Sequence, residues 1–171
     1  MLSKRETPFL VKPYHEPVII CIQGRVGFLN AAPLREFLQQ MINDGKARFI
    51  IDFKNCDGMD STFMGLLAEA ALKVQAAFQQ GKIVLYRLSP RNLELVRNLG
   101  LHRLMDIQEE NTVYPLYKKK PSQSLNSTAK DEQDQARMIL SAHESLIAID
   151  GSNRSQFQDV VVFLENQVNP V

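Results

Sequence analysis

Short apolar runs separated by turn residues dominate the first hundred positions. Val18-Ile19-Ile20-Cys21-Ile22-Gln23-Gly24-Arg25-Val26 is continuous enough to predict a central, buried strand, with further strands at Phe49 to Phe53 and Lys82 to Leu88. Phe9-Leu10-Val11 predicts a short first strand, turned by the segment from Pro13 to Pro17 into its neighbour, and so short a link implies an antiparallel pair. Between the strands the period changes. Leu34, Phe37, Leu38, Met41 and Ile42 recur at three and four residues, with Asn30 placed to cap the helix and Gly45 to end it. A long helix is expected from Thr62 to Gln80, and Ser89-Pro90 opens another with a capping side chain and proline in the first turn. Apart from the first pair, every link carries a helix, so those strands should run parallel with right-handed crossovers. The expected fold class is α/β: a mixed, mainly parallel sheet backed by helices, with its site beyond the carboxyl ends of the strands.

The pattern changes again after residue 110. Residues 111–130, including Lys118-Lys119-Lys120-Pro121-Ser122, have few apolar side chains to bury and read as a linker. No aromatic stacking pattern accompanies the lysines, so they read as a solvated stretch. Beyond them Ala136, Ile139, Leu140, His143, Leu146 and Ile147 share one helical face, Gly151-Ser152-Asn153 breaks the pattern, and Phe157, Val160, Val161, Leu164 and Val168 form a second stripe. The chain thus divides into a domain over 1–110, a linker over 111–130 and a helical hairpin over 131–171. A hairpin of this size has too little core to stand alone, so it must lean on the main domain, a second copy (a homodimer) or a partner.

Composition narrows the classes. The 171 residues hold 20 Lys and Arg against 19 Asp and Glu, and the net charge of +1 gives no general pull toward nucleic acid or an anionic membrane. No apolar run is long enough to cross a bilayer and the N-terminus lacks a signal-peptide core, so the chain is expected to be cytoplasmic, without direct membrane insertion, and not itself a transporter polypeptide. Cys21 and Cys56 fall in or beside strand patterns, where a free thiol behaves as a small core residue.

The chemistry concentrates where the strand ending at Asp52 runs through Asn55-Cys56-Asp57-Gly58-Met59 into Asp60-Ser61-Thr62-Phe63-Met64-Gly65-Leu66-Leu67. Asp60 and Ser61 are both good N-cap residues, which puts the Thr62 hydroxyl in the first helical turn, near unpaired N–H groups and the positive helix end, where a phosphate would be well received. At these residues, and again from Ser89-Pro90-Arg91-Asn92 to Met105-Asp106-Ile107, the chain resembles the STAS domain, the family of bacterial anti-sigma-factor antagonists that also caps sulfate transporters. The resemblance covers about residues 8–110. It implies a regulator of transcription in which the second hydroxyl residue of the turn is phosphorylated by a partner kinase, which carries over to Thr62, with Ser61 as the alternative. It further implies docking on an anti-sigma factor or serine/threonine kinase through Asp57, Asp60, Ser61, Phe63 and Met64, with Phe63 or Met64 as an exposed apolar anchor. Phe63 stands where the family has glycine and adds bulk beside the acceptor.

Other constellations are weaker. Asp52 and Asp57 suit loop capping better than a metal site, which needs several convergent oxygens. His143-Glu144 are neighbours on a helix and point in different directions, and His143 lies on the apolar stripe as a packed histidine would. No phosphate-binding glycine fingerprint, nucleophile elbow or paired Cys/His spacing is present, so neither an enzyme nor a cofactor is expected. Two functions remain: a phospho-switched binding module, and a constitutive assembly subunit of an ABC transporter or a stress-signalling scaffold.

Overall fold

The computed structural model describes residues 7–109, 121, 123–127 and 130–171. The expected tripeptide of lysines and most of the linker lie outside these residues. Six strands form one sheet: β1 (Phe9–Lys12), β2 (Val18–Val26), β3 (Arg48–Met59), β4 (Lys82–Tyr86), β5 (Asp106–Gln108) and β6 (Gln123–Ser124), in the spatial order β5-β4-β3-β2-β1-β6. β1 pairs antiparallel with β2, as so tight a connection demands, whereas β2, β3, β4 and β5 run parallel, with the register between β2 and β3 shifting after Cys21 and again after Gly24. Helices α1 (Ala32–Asn43), α2 (Ser61–Ala77) and α3 (Pro90–Asn98) supply the crossovers.

Period-two alternation sorts the strand residues between the faces. Phe49, Ile51 and Phe53 of β3 join Val18, Ile20 and Ile22 of β2 and Ile83 and Leu85 of β4 in the main core, against Leu34 and Leu38 of α1 and Leu66, Leu67 and Val74 of α2. Ile50, Val84 and Tyr86 form a small separate cluster on the opposite face. Asp52 falls on that face too, where its carboxylate takes both the Arg87 guanidinium and the Lys54 N–H. It therefore lies across the sheet from the α2 turn, with its carboxylate turned to Arg87.

Two expectations of detail are corrected. Asn30 does not cap α1; the cap position is Ala31, with Pro33 in the first turn, and Asn30 instead closes the preceding loop, accepting from the Gly27 N–H at 2.9 Å and donating to the Arg25 carbonyl at 3.0 Å. The segment around residue 124, read as linker, adds the edge strand β6, paired antiparallel with Leu10 and Val11. So short an edge strand has no hydrophobic signature of its own, and its pairing is set by the edge that β1 offers.

The C-terminal hairpin consists of α4 (Glu132–Ile149) and α5 (Arg154–Val168), separated by a single 3-10 turn at Gly151–Asn153. Leu146 and Phe157 reach into the main core, while Ala136, Leu140 and Leu164 pack the two helices together. The turn is pinned by Asn153, whose amide donates to the carbonyls of Leu99 and Leu146 at 2.9 and 2.8 Å. Of the three supports open to the hairpin, the structure thus supplies the main domain. On α5 the expected stripe is narrower than its apolar content: Val160 is 40% exposed, and Val162 and Phe163 also face outward.

Within the helical layer Glu69 of α2 accepts two hydrogen bonds from Arg35 of α1, at 2.9 and 3.0 Å, and one from Lys73 at 3.1 Å. Burial alone would push this carboxyl up, but the two cations more than offset it and hold the group below its ordinary 4.5. A carboxyl whose pKa is lower folded than unfolded contributes stability above the unfolded value and loses it as the pH falls through the folded one. Urea midpoints should therefore decline as the pH is taken below about 4.5, and Glu69→Gln should flatten that part of the profile.

Candidate functional site

β3 runs on past Phe53 to Met59 and delivers Asp60, in extended conformation (φ −103°, ψ 177°), to the start of α2. One oxygen of Asp60 accepts the Phe63 N–H and the other accepts the Phe28 N–H, both at 2.9 Å, while its own N–H donates to the Val26 carbonyl. The carboxylate satisfies an otherwise orphaned donor at the helix end and ties the loop between β2 and α1 to the same corner. Gly27 permits this, since a Cβ there would overlap the Asp60 carboxylate. The loop so held turns Phe28 (45% exposed) and Leu29 (81%) to the outside. Arg25 and Asp57 are exposed on the same edge, and a groove of about 340 Å³ runs between Arg25, Phe28, Leu29, Met59 and Asp60.

The turn itself is covered. Ser61 is half-buried and its hydroxyl lies 2.9 Å from Nε2 of His143 on α4. The other ring nitrogen, Nδ1, is 2.7 Å from the Ile139 carbonyl, which can only accept. In the neutral ring Nδ1 therefore carries the proton and Nε2 accepts from the Ser61 hydroxyl. One helical turn further along α2, Gly65 meets the backbone of Ala142 so closely that a Cβ would overlap the Ala142 carbonyl. The His143 ring also packs edge-on against Phe157 at 5.1 Å between centroids.

This arrangement corrects three expectations. Thr62, placed by sequence in the open first turn, is only 4% exposed. Phe63 and Met64 are buried as well, at 0% and 3%, and cannot serve as exposed anchors. Phe63 instead stacks on Phe9 at 6.3 Å and meets Phe53 edge-on at 6.5 Å. The reason is geometric: Asp60 follows β3 directly and is tied to Val26 at the end of β2, so the first turn of α2 starts over the sheet, and α4 crosses the same turn from outside. Of the expected site residues, Asp57 and Asp60 with half-buried Ser61 remain at the surface edge, while Thr62, Phe63 and Met64 turn inward.

Sequence reasoning missed two participants. His143 was legible as a packed histidine, but its reach to Ser61, 82 positions away, depends on how the hairpin lies. Phe28-Leu29 carried a usable signal, an apolar pair in a loop outside any helical or strand period. Among the described residues no three metal-ligating side chains converge, and no helix is long and apolar enough to cross a membrane. Cys21 and Cys56 are buried and form no disulfide, and burial pushes the Cys56 thiol up, away from reactivity.

The sequence pattern of the family described as "Mlab, STAS domain" matches residues 13–107. No curated protein sequence matches the chain. Among solved structures, a candidate anti-sigma factor antagonist of Thermotoga maritima superposes with a TM-score of 0.55 at 15% identity, covering 61% of this chain and 88% of its own. The phosphorylated form of the Bacillus cell fate determinant SpoIIAA does so with a TM-score of 0.50 at 22% identity, covering 60% and 92%. At such identities the likeness is one of fold. The hairpin lies outside the stretch matched by the family.

Phe63→Ala should cost about 3–5 kcal/mol in urea unfolding, the range for emptying a buried aromatic site. Asp60→Ala should cost about 1–2 kcal/mol by loss of the cap and of the Phe28 N–H partner, with Asp60→Asn milder.

Proposed function

The chain belongs to the STAS domain family, and from that premise we propose that it is a protein-docking module of the anti-sigma-factor-antagonist kind. Its partner is an anti-sigma factor or a serine/threonine kinase. The contact is the edge at the carboxyl ends of β2 and β3, built from Arg25, Phe28, Leu29, Asp57, Asp60 and Ser61. The single observation that carries this reading is the adjacent pair Phe28 and Leu29, turned outward by the hydrogen bond from the Phe28 N–H to Asp60. Two exposed apolar side chains beside an arginine and an aspartate provide the anchor and polar rim that a protein interface uses. Phosphorylation at the start of α2 would add a charge of about −1.5 to −2 beside Asp57 and Asp60, enough to reject a partner fitted to a neutral hydroxyl.

Burial of Thr62 favours a second reading, a constitutive assembly subunit such as the STAS component of an ABC transporter or a stress-signalling scaffold. There Thr62 is a core residue and the outward Val160, Val162 and Phe163 of α5 are the surface for assembly, including a homodimer.

Affinity capture with the tagged full chain separates the two readings. Docking through the edge predicts that an anti-sigma factor or kinase is recovered and that Leu29→Asp weakens its binding at least tenfold, about 1.4 kcal/mol, while Phe163→Asp leaves it unchanged. The opposite pattern, with binding lost only in Phe163→Asp, would establish the assembly reading. Under a phospho-switch, mass spectrometry of the native protein finds phosphate at Ser61 or Thr62 in some growth condition; its consistent absence removes the switch.

A further inference from the structure

We propose that Ser61 is a modification site coupled to the hairpin: a phosphoryl group on its Oγ releases α4 from α2, so that the tail reports the state of the turn. This inference rests on the docking reading above for its purpose, but its physical content concerns this chain alone.

Ser61 is the more open of the two hydroxyl residues in the turn, since Thr62 is 4% exposed. Ser61 and Gly65 are four residues apart and so share one face of α2, the face that α4 covers. At Gly65 the two helices meet backbone to backbone at Ala142, and at Ser61 a hydrogen bond of 2.9 Å to the His143 ring bridges them. The three oxygens of a phosphoryl group on Oγ would have to be placed beside a ring nitrogen that now lies 2.9 Å from it.

Transfer from a nucleoside triphosphate held by a partner kinase would form the Oγ–P bond and break the bond from the γ-phosphorus to the bridging oxygen. The nucleoside diphosphate leaves, and the hydroxyl proton goes to the kinase's carboxylate base. The product has no Oγ proton. In the neutral ring Nε2 of His143 is an acceptor because Nδ1 is committed to the Ile139 carbonyl, and it then faces only oxygen lone pairs. The new charge also lies on the residue next to the Asp60 carboxylate, whose two oxygens already hold Phe63 and Phe28 and do not turn away. The helix N-terminus favours the phosphate, but it does so equally with the hairpin off. Steric exclusion and the lost donor therefore act on the closed hairpin alone, and the balance moves toward release. Release bares the α2 face at Gly65 and the aromatic edge of Phe157, apolar surface that the closed form hides.

The test is amide hydrogen exchange on the full chain carrying phosphoserine at position 61 by genetic encoding. Exchange in 62–68 and 138–146 is expected to rise at least about tenfold over the unmodified chain, with β2 and β3 unchanged. Phosphoserine at the exposed Ser155 is the control for charge alone and should leave both segments as they were. Ser61→Ala, which removes the hydrogen bond but adds no bulk, should stay within about threefold of the natural chain. Unchanged or stronger protection of 138–146 overturns the proposal, because it would mean that an imidazolium–phosphate pair holds the hairpin down. A uniform rise that includes β2 and β3 also overturns it, as would an equal response to the Ser155 phosphate. Because no partner enters this measurement, its failure is distinguishable from a failure of the docking surface, which the Leu29→Asp capture tests separately.

Discussion

Asp60 sits where β3 ends and α2 begins, and its two carboxylate oxygens accept from two different elements, the N–H of Phe63 in α2 and that of Phe28 in the loop after β2. A carboxylate can do this because it is acceptor-only and offers separate lone pairs in one plane. The consequence reaches beyond a helix cap. The same group fixes the entry angle of α2 over the sheet and the direction in which Phe28 and Leu29 point. It requires glycine at position 27, where a side chain would displace it. The edge proposed for docking is thus a by-product of how the strand–helix junction is satisfied.

The second constraint is the approach of α4 to α2. Most helix pairs are held apart by side chains at about 8–10 Å between axes, whereas a glycine at the contact lets backbones meet. Gly65 serves that purpose against Ala142, and the neighbouring turn is bridged by Ser61 and His143. Farther along, Asn153 closes the turn of the hairpin on the carbonyls of Leu99 and Leu146, and Phe157 enters the core. The hairpin adds to the stretch, residues 13–107, that the family pattern matches. It covers the face of α2 that carries Ser61 and Gly65.

How far the molecule could be read in advance varied with the range of the interaction. Strands at Val18 to Val26 and Phe49 to Phe53, the caps at Asp60 and Ser89, and the parallel order of the later strands follow from local period and connection length, and the structure has them. Asn30 was misplaced by one residue because its side chain had a competing use, closing its own loop on Gly27 and Arg25. Strand β6 left no trace in the pattern because two residues on an edge need no hydrophobic face. The strand–helix junction was legible but the exposure of its residues was not: Phe63 and Met64 lie in a stretch apolar on every side, and such a stretch does not declare which residues meet solvent.

What the sequence determined by itself is the set of elements apart from β6, their order and the junction at which a carboxylate caps α2, since these depend on contacts a few residues apart. Only the tertiary structure decided that Thr62 is enclosed, that Ser61 is the more open hydroxyl of the turn and that His143 meets it from a helix 82 residues away. Those outcomes turn on where one helix face comes to rest against another. The energy of that choice is spread over many small apolar contacts, and no single residue in the chain announces it.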